Sequence, residues 1–186
     1  MNQEQKEILL KVAKDTVTAA VSGSVYHEQT SDEPELNSNC GCFVTLKNKG
    51  LLRGCIGQFI SDKALIELVS EMAVASSTRD SRFFADPITK DELEELEIEI
   101  SVLSPLEKTD DPMSLRLGID GIYVVKGNRS GCFLPQVATE AGWSKEEYLG
   151  YCCSHKAGLR PDAWKDKGTS VYFFSADVFG ANFSEI

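Results

Sequence analysis

The amino-acid sequence predicts a single mixed α and β domain whose strands meet as antiparallel hairpins. Three observations carry this. Apolar residues recur at helical spacing over 4–21, apolar–polar alternation runs through 96–102, and two glycine-bearing turns each join a pair of strand-like segments. The coarse order of elements is α-ββ-α-β-ββ-α-β.

The first helix places Ile8, Leu9, Val12, Ala13, Thr16, Ala19 and Ala20 on one stripe, and Gly23 ends it. Residues 24–39, with Pro34 and many polar side chains, read as a loop. Two strands follow, 40–47 and 51–57. A three-residue loop, Asn48-Lys49-Gly50, fixes their register by pairing Phe43 with Cys55, Val44 with Gly54 and Thr45 with Arg53. That register gives a core face of Cys42, Val44, Leu46, Leu52 and Ile56. The opposite face carries Phe43, Thr45, Arg53, Cys55 and Gly57.

Ser61 is a candidate N-cap for a helix over 62–77 whose start near Cys55 either offers N–H groups to an anion or, at least equally, is a plain strand–turn–helix connection with no ligand. Residues 78–89, containing Arg79-Asp80-Ser81-Arg82-Phe83, read as a loop, and Thr89 with Glu92 has capping-box spacing. The alternation at 96–102 predicts a half-buried strand, with Glu97 and Glu99 on its solvated face. A second hairpin, 121–126 and 130–134, turns at Gly127-Asn128 in a type II′ geometry. Ser144 and Glu147 form a capping box for a helix over 145–157 that Gly158 stops; Trp164 reads as a packing plug. The segment 171–178 is apolar on both faces and reads as one interior strand.

At 186 residues the chain buries roughly 70% of its unfolded surface and needs no disulfide or metal to hold a core. A net charge of −10 disfavours a nucleic-acid or anionic-membrane surface. No apolar run reaches the roughly 20 residues of a membrane helix, and no secretory signal opens the sequence. The chain is therefore expected to be cytoplasmic, with its six cysteines reduced.

The chemistry concentrates in Leu52-Arg53-Gly54-Cys55-Ile56-Gly57. Cys55 is the candidate nucleophile, with Arg53 two residues away to favour a thiolate and Gly54 and Gly57 to let a ligand approach. Its usual base is scarce, since His27 and His155 are the two histidines. A zinc set from Cys40, Cys42, Cys55 and His155 has the wrong spacing, and opposite faces separate Cys42 from Cys55, so no metal site is expected. No phosphate-loop pattern is present, and no cofactor is indicated.

The same hexapeptide resembles the LRGCIG signature of the AMMECR domain family. Gly41-Cys42-Phe43-Val44-Thr45-Leu46, Glu99-Ile100-Ser101-Val102-Leu103-Ser104-Pro105-Leu106-Glu107 and Gly131-Cys132-Phe133-Leu134-Pro135-Gln136-Val137 resemble further family segments in the family's order. Gly142-Trp143, Lys156-Ala157-Gly158-Leu159 and Asp162-Ala163-Trp164 match its C-terminal signals. Asp80-Ser81-Arg82-Phe83 departs from the family's DPRF by losing a proline. The resemblance implies one AMMECR-type domain over 1–186 with an α+β fold: a mainly antiparallel sheet flanked by helices, with a smaller β-containing subdomain. It also implies association with a Memo-like protein and a radical-SAM enzyme. The resulting expectation is an accessory enzyme or small-ligand binder, with Arg53, Gly54, Gly57, Arg82 and Gln136 as ligand-binding residues around Cys55. The alternatives are a non-catalytic interaction or regulatory module and, less favoured by the charge, a nucleic-acid regulator.

Overall fold

The computed structural model describes residues 1–27 and 29–186. The fold is α+β, built on two antiparallel sheets of four strands each. The chain forms two compact units: residues 1–103 with 177–186, and residues 104–176.

The first unit opens with α1 (Gln3–Ser22), begun by a capping box between Asn2 and Gln5 and ended by Gly23 in the left-handed region. Strands β1 (Cys42–Asn48) and β2 (Leu51–Gln58) form the first hairpin, followed by α2 (Leu65–Thr78) and β3 (Leu96–Leu103). The last strand, β8 (Ala176–Asn182), completes the sheet in the order β2-β1-β3-β8. One face of this sheet packs on α1 and α2 through Val44, Leu46, Ile98 and Ile100, which meet Leu9, Val12, Leu68 and Val69 in one apolar core. Its β2 edge carries the LRGCIG residues.

The hairpin differs from the expected register. Its turn has two residues, Lys49 and Gly50, with φ of 50° and 76°, the positive angles of a type I′ turn. The pairs are Asn48 with Leu51, Lys47 with Leu52, Leu46 with Gly54, Thr45 with Cys55, Val44 with Ile56 and Phe43 with Gly57. Arg53 is left without a partner, as a one-residue β-bulge. The bulge restores the alternation that a two-residue turn would otherwise break. Cys55 therefore lies on the expected outer face beside Thr45, opposite to Cys42. Leu52 moves to the outer face and is 38% exposed.

Two further expectations change. The second helix starts at Leu65, without a side-chain cap, and Ser61 instead accepts the Lys63 N–H in the preceding turn. It is the C-terminal end of α2 that reaches the hairpin, through Ser76 and the Asp80 turn beyond it, so no helix N-terminus offers an anion site at Cys55. Residues 171–178 are two strands. β7 (Ser170–Phe174) lies inside the other sheet, whereas β8 is the edge of this one and keeps no residue fully buried, so the expected single interior strand holds only for the first half.

The second unit holds β4 (Glu107–Thr109), β5 (Gly121–Lys126), β6 (Arg129–Phe133) and β7, ordered β4-β7-β5-β6. Gly127 at φ 58° makes the predicted two-residue turn between Lys126 and Arg129. Two short helices follow, α3 (Gln136–Ala141) and α4 (Lys145–Tyr151), the latter starting at the Ser144–Glu147 capping box. Past Tyr151 the helix widens into a π turn, Cys152–Lys156, closed by the Ala157 N–H on the Cys152 carbonyl at 3.0 Å. Tyr148, Leu149, Cys152 and Cys153 are fully buried in this unit's core.

Among the described residues no helix is long and apolar enough to cross a membrane.

Candidate functional site

The geometry around the LRGCIG strand is dictated from three directions. From the core side, the last turn of α2 plugs into the sheet. Ile56 N–H donates to Ser76 Oγ at 2.9 Å, and the Ser76 hydroxyl donates in turn to the Val44 carbonyl at 2.7 Å. Val44 and Ile56 are cross-strand partners. The hydroxyl thus sits in the ladder between β1 and β2 and satisfies both backbone groups, which matters because buried backbone groups left unpaired are costly. This approach needs Gly54, where a side-chain methyl would collide with the Ser76 carbonyl oxygen. Gly57 is required for another reason: the Phe43 ring lies flat against it.

From the edge, the turn after α2 clamps the strand. Asp80, only 5% exposed, accepts the Cys55 N–H at 2.9 Å. The same carboxylate accepts Arg82 Nε at 2.9 Å and Nη2 at 2.6 Å, and Arg82 Nη2 also donates to the Cys55 carbonyl at 3.1 Å. Asp80 and Arg82 therefore hold both polar backbone groups of Cys55. The Arg82 hydrogen bonds, working against burial, hold the Asp80 carboxyl down at about 2. This is how an exposed strand edge is kept from pairing with another chain.

From the hairpin end, the bulge delivers Arg53 to a separate anchor. Its Nε and Nη2 bind Glu92 at 2.6 and 3.0 Å, and Nη1 reaches Asp86 at 2.8 Å. The Glu92 carboxylate also accepts from Asn48. Burial pushes the Glu92 carboxyl up, but the Arg53 and Asn48 hydrogen bonds outweigh it and leave it lowered. Thr89 stands at the N-cap of a short 3-10 helix, Lys90–Glu95, as expected; its side chain caps nothing, but its backbone N–H donates to the Glu92 carboxylate, which is half of the capping box. The Arg53 and Glu92 side chains are 12% and 16% exposed, so this pair is shielded where surface pairs are not. Arg53→Ala is expected to cost about 2 kcal/mol. A double-mutant cycle with Glu92→Gln in urea denaturation checks it, and a coupling near zero would refute the anchor.

The outer face of the strand is what remains. Thr45 Oγ1 donates to the Cys55 sulfur at 3.3 Å. Thr45 is flanked on the other side by Glu99, so Cys55, Thr45 and Glu99 form one cross-strand row. The Glu99 carboxylate pairs with Lys47 at 3.0 Å. Cys55 is half-buried. Burial raises the thiol pKa at Cys40, Cys42, Cys132, Cys152 and Cys153, to about 11 for Cys132.

Of the residues singled out from sequence, Arg53, Gly54, Cys55, Gly57 and Arg82 come together in the first unit. Gln136 opens α3 in the second unit. Sequence reasoning missed Ser76, Asp80 and Glu92. A buried serine on the apolar stripe of α2 was the one available signal, because a hydroxyl there requires a partner.

These features define an α+β protein of two compact units, the first organised on an edge strand clamped by a helix end and an aspartate–arginine turn. The AMMECR1 family model matches residues 10–179. A protein of Methanothermobacter thermautotrophicus is 39% identical over 96% of this chain and 95% of its own length, and one of Thermococcus gammatolerans is 38% identical over 96% and 91%. The crystal structure of the uncharacterized protein PH0010 from Pyrococcus horikoshii superposes with a TM-score of 0.88 at 36% identity, covering all of this chain and 95% of that one. The chain belongs to the AMMECR1 family.

Proposed function

We propose that the chain is an accessory protein that holds a small ligand on the outer face of the first sheet, with Cys55 as the contacting thiol. One observation carries this reading. Every other residue of the hexapeptide has a part in the fold: Arg53 anchors the bulge, Gly54 admits α2, Ile56 packs on the core, and Gly57 receives Phe43. Leu52 lies across from Lys47 in the hairpin. The Cys55 backbone is held by Asp80 and Arg82, while its side chain meets the Thr45 hydroxyl and the Arg82 guanidinium on the outer face. A half-buried thiol set between a hydroxyl donor and a guanidinium is placed to contact a ligand as a thiolate. Arg82, whose side chain is 54% exposed, supplies a cation beside the bound ligand. The family resemblance supports a Memo-like protein and a radical-SAM enzyme as partners in the same system.

Thiol modification of the whole chain with iodoacetamide tests the site. Cys55 should be alkylated well ahead of Cys42, and Thr45→Val should slow it. Cys55→Ser should keep the melting temperature within about 2 °C of the parent and remove the fast phase. Full activity of a reconstituted system containing Cys55→Ser would end the thiol reading.

Exposed apolar residues favour a second reading as an adaptor. Leu51 is 72% exposed and Phe84 65%. Phe84 and Arg53 line one small cleft. Leu51→Ser with Phe84→Ser would then abolish partner capture while leaving Cys55 alkylation unchanged.

A further inference from the structure

The second unit carries a groove of about 550 Å³ between α4, its π-helical continuation, and the 161–165 turn. Gly150 sets its width: a methyl there would press on the Pro161 carbonyl oxygen at 3.3 Å. Aromatic rings line it. Tyr151 stacks on His155 with centroids 5.1 Å apart and planes 11° from parallel, and Trp143 braces Tyr151 at 4.7 Å. The π turn, a feature concentrated at functional sites, keeps Cys152 and Cys153 inside while Tyr151 and His155 line the groove. Trp164, expected as a packing plug, contacts the core of this unit and also borders the groove.

The rim is acidic. Glu146 has no ion pair among the described residues, and Asp162 has only a 3.5 Å contact with Arg160. The Trp164 ring already receives a cation, since Lys165 Nζ stands 4.8 Å from its centroid. Lys165 is exposed and free to swing into solvent.

We propose that this groove docks a basic segment of a partner polypeptide, one arginine seated on Trp164, beside the Tyr151–His155 stack, between the Glu146 and Asp162 carboxylates. Charge complementarity selects this occupant. The rim and the net charge of −10 repel acidic partners. Aromatic faces attract cations, and the planar guanidinium stacks on them better than an ammonium does. A groove of this length has room for an apolar neighbour of the arginine along Pro161.

Tryptophan fluorescence of the whole chain, titrated with the capped pentapeptide acetyl-Ala-Leu-Arg-Leu-Ala-amide, tests the proposal. A saturable change that strengthens at low salt is expected. The same peptide with glutamate at its centre should give none. Glu146→Gln with Asp162→Asn, both on the surface, should weaken binding roughly five-fold. Trp164→Leu should abolish it, and Cys55→Ser should leave it intact. The proposal falls if the arginine peptide gives no saturable change at millimolar concentration in low salt. It falls equally if the glutamate peptide binds as well, or if the rim double variant binds with parental affinity.

Discussion

Gly54→Ala is expected to destabilise the chain by about 3 kcal/mol, at the upper end of what overpacking costs. The reason is that the obstruction is backbone. A side-chain methyl at position 54 meets the carbonyl oxygen of Ser76, in the last turn of α2. A flexible side chain could rotate away, but this carbonyl is fixed by the helix. Relief requires α2 to withdraw from the sheet, and withdrawal pulls the Ser76 hydroxyl out from between Ile56 N–H and the Val44 carbonyl. Two buried backbone groups then lose their partner along with the packing. In a chain of this size that loss lowers the melting temperature by roughly 6–12 °C. Scanning calorimetry measures it, and a shift below about 2 °C would mean that α2 does not control the strand.

Asp80 is the second. Its carboxylate accepts two backbone N–H groups, from Cys55 and Arg82, and two guanidinium N–H groups while almost fully buried. Asp80→Ala orphans the Cys55 N–H and releases Arg82 from the strand edge, at an expected cost of about 3 kcal/mol. The partial exposure of Arg82 keeps the figure below that of a wholly buried pair. The effect has a definite pH dependence. The folded-state pKa of Asp80 is depressed to about 2, whereas in the unfolded chain an aspartate titrates near ~3.9. Its contribution is therefore complete above about pH 5 and is lost as pH falls through 4 towards 2, by about 2 kcal/mol in all. Asp80→Asn keeps an acceptor for the Cys55 N–H but does not titrate. The stability gap between parent and Asp80→Asn should shrink over that window in urea denaturation series. Parallel curves would show that the charge on Asp80 is not what holds the edge.

Much of the fold could be read from sequence wherever the signal is local. The α1 stripe, the β3 alternation, the Gly127-Asn128 turn and the Ser144 capping box each depend on residues within a few positions of one another. The errors came where distant residues decide. A bulge at Arg53 leaves no composition signal, and without it the alternation demanded a three-residue turn. Glu92, 39 positions from Arg53, had a local capping explanation that is half fulfilled at Thr89 and gave no hint of the tertiary pairing. Residues 171–178 looked like one interior strand, yet the chain changes sheets at Ser175 and β8 runs along an edge with no residue fully buried. The site was legible to the same extent. Cys55, Arg53 and the glycines stood out by type, whereas the serine and aspartate that hold them were ordinary residues until folding brought them to the strand.

The bulge at Arg53 also settles an ambiguity that apolar patterning cannot. Sliding β2 along β1 by two positions would return the apolar side chains to the same face, so alternation alone does not fix the register, although Gly54 beneath Ser76 also opposes the slip. Arg53 breaks that degeneracy. As the one residue outside the ladder, it reaches Glu92 and Asp86 only when the hairpin is correctly aligned. Arg53 thus works as an alignment key. It reports, through an ion pair beyond the strand, that the thiol two residues later has come to rest beside Thr45.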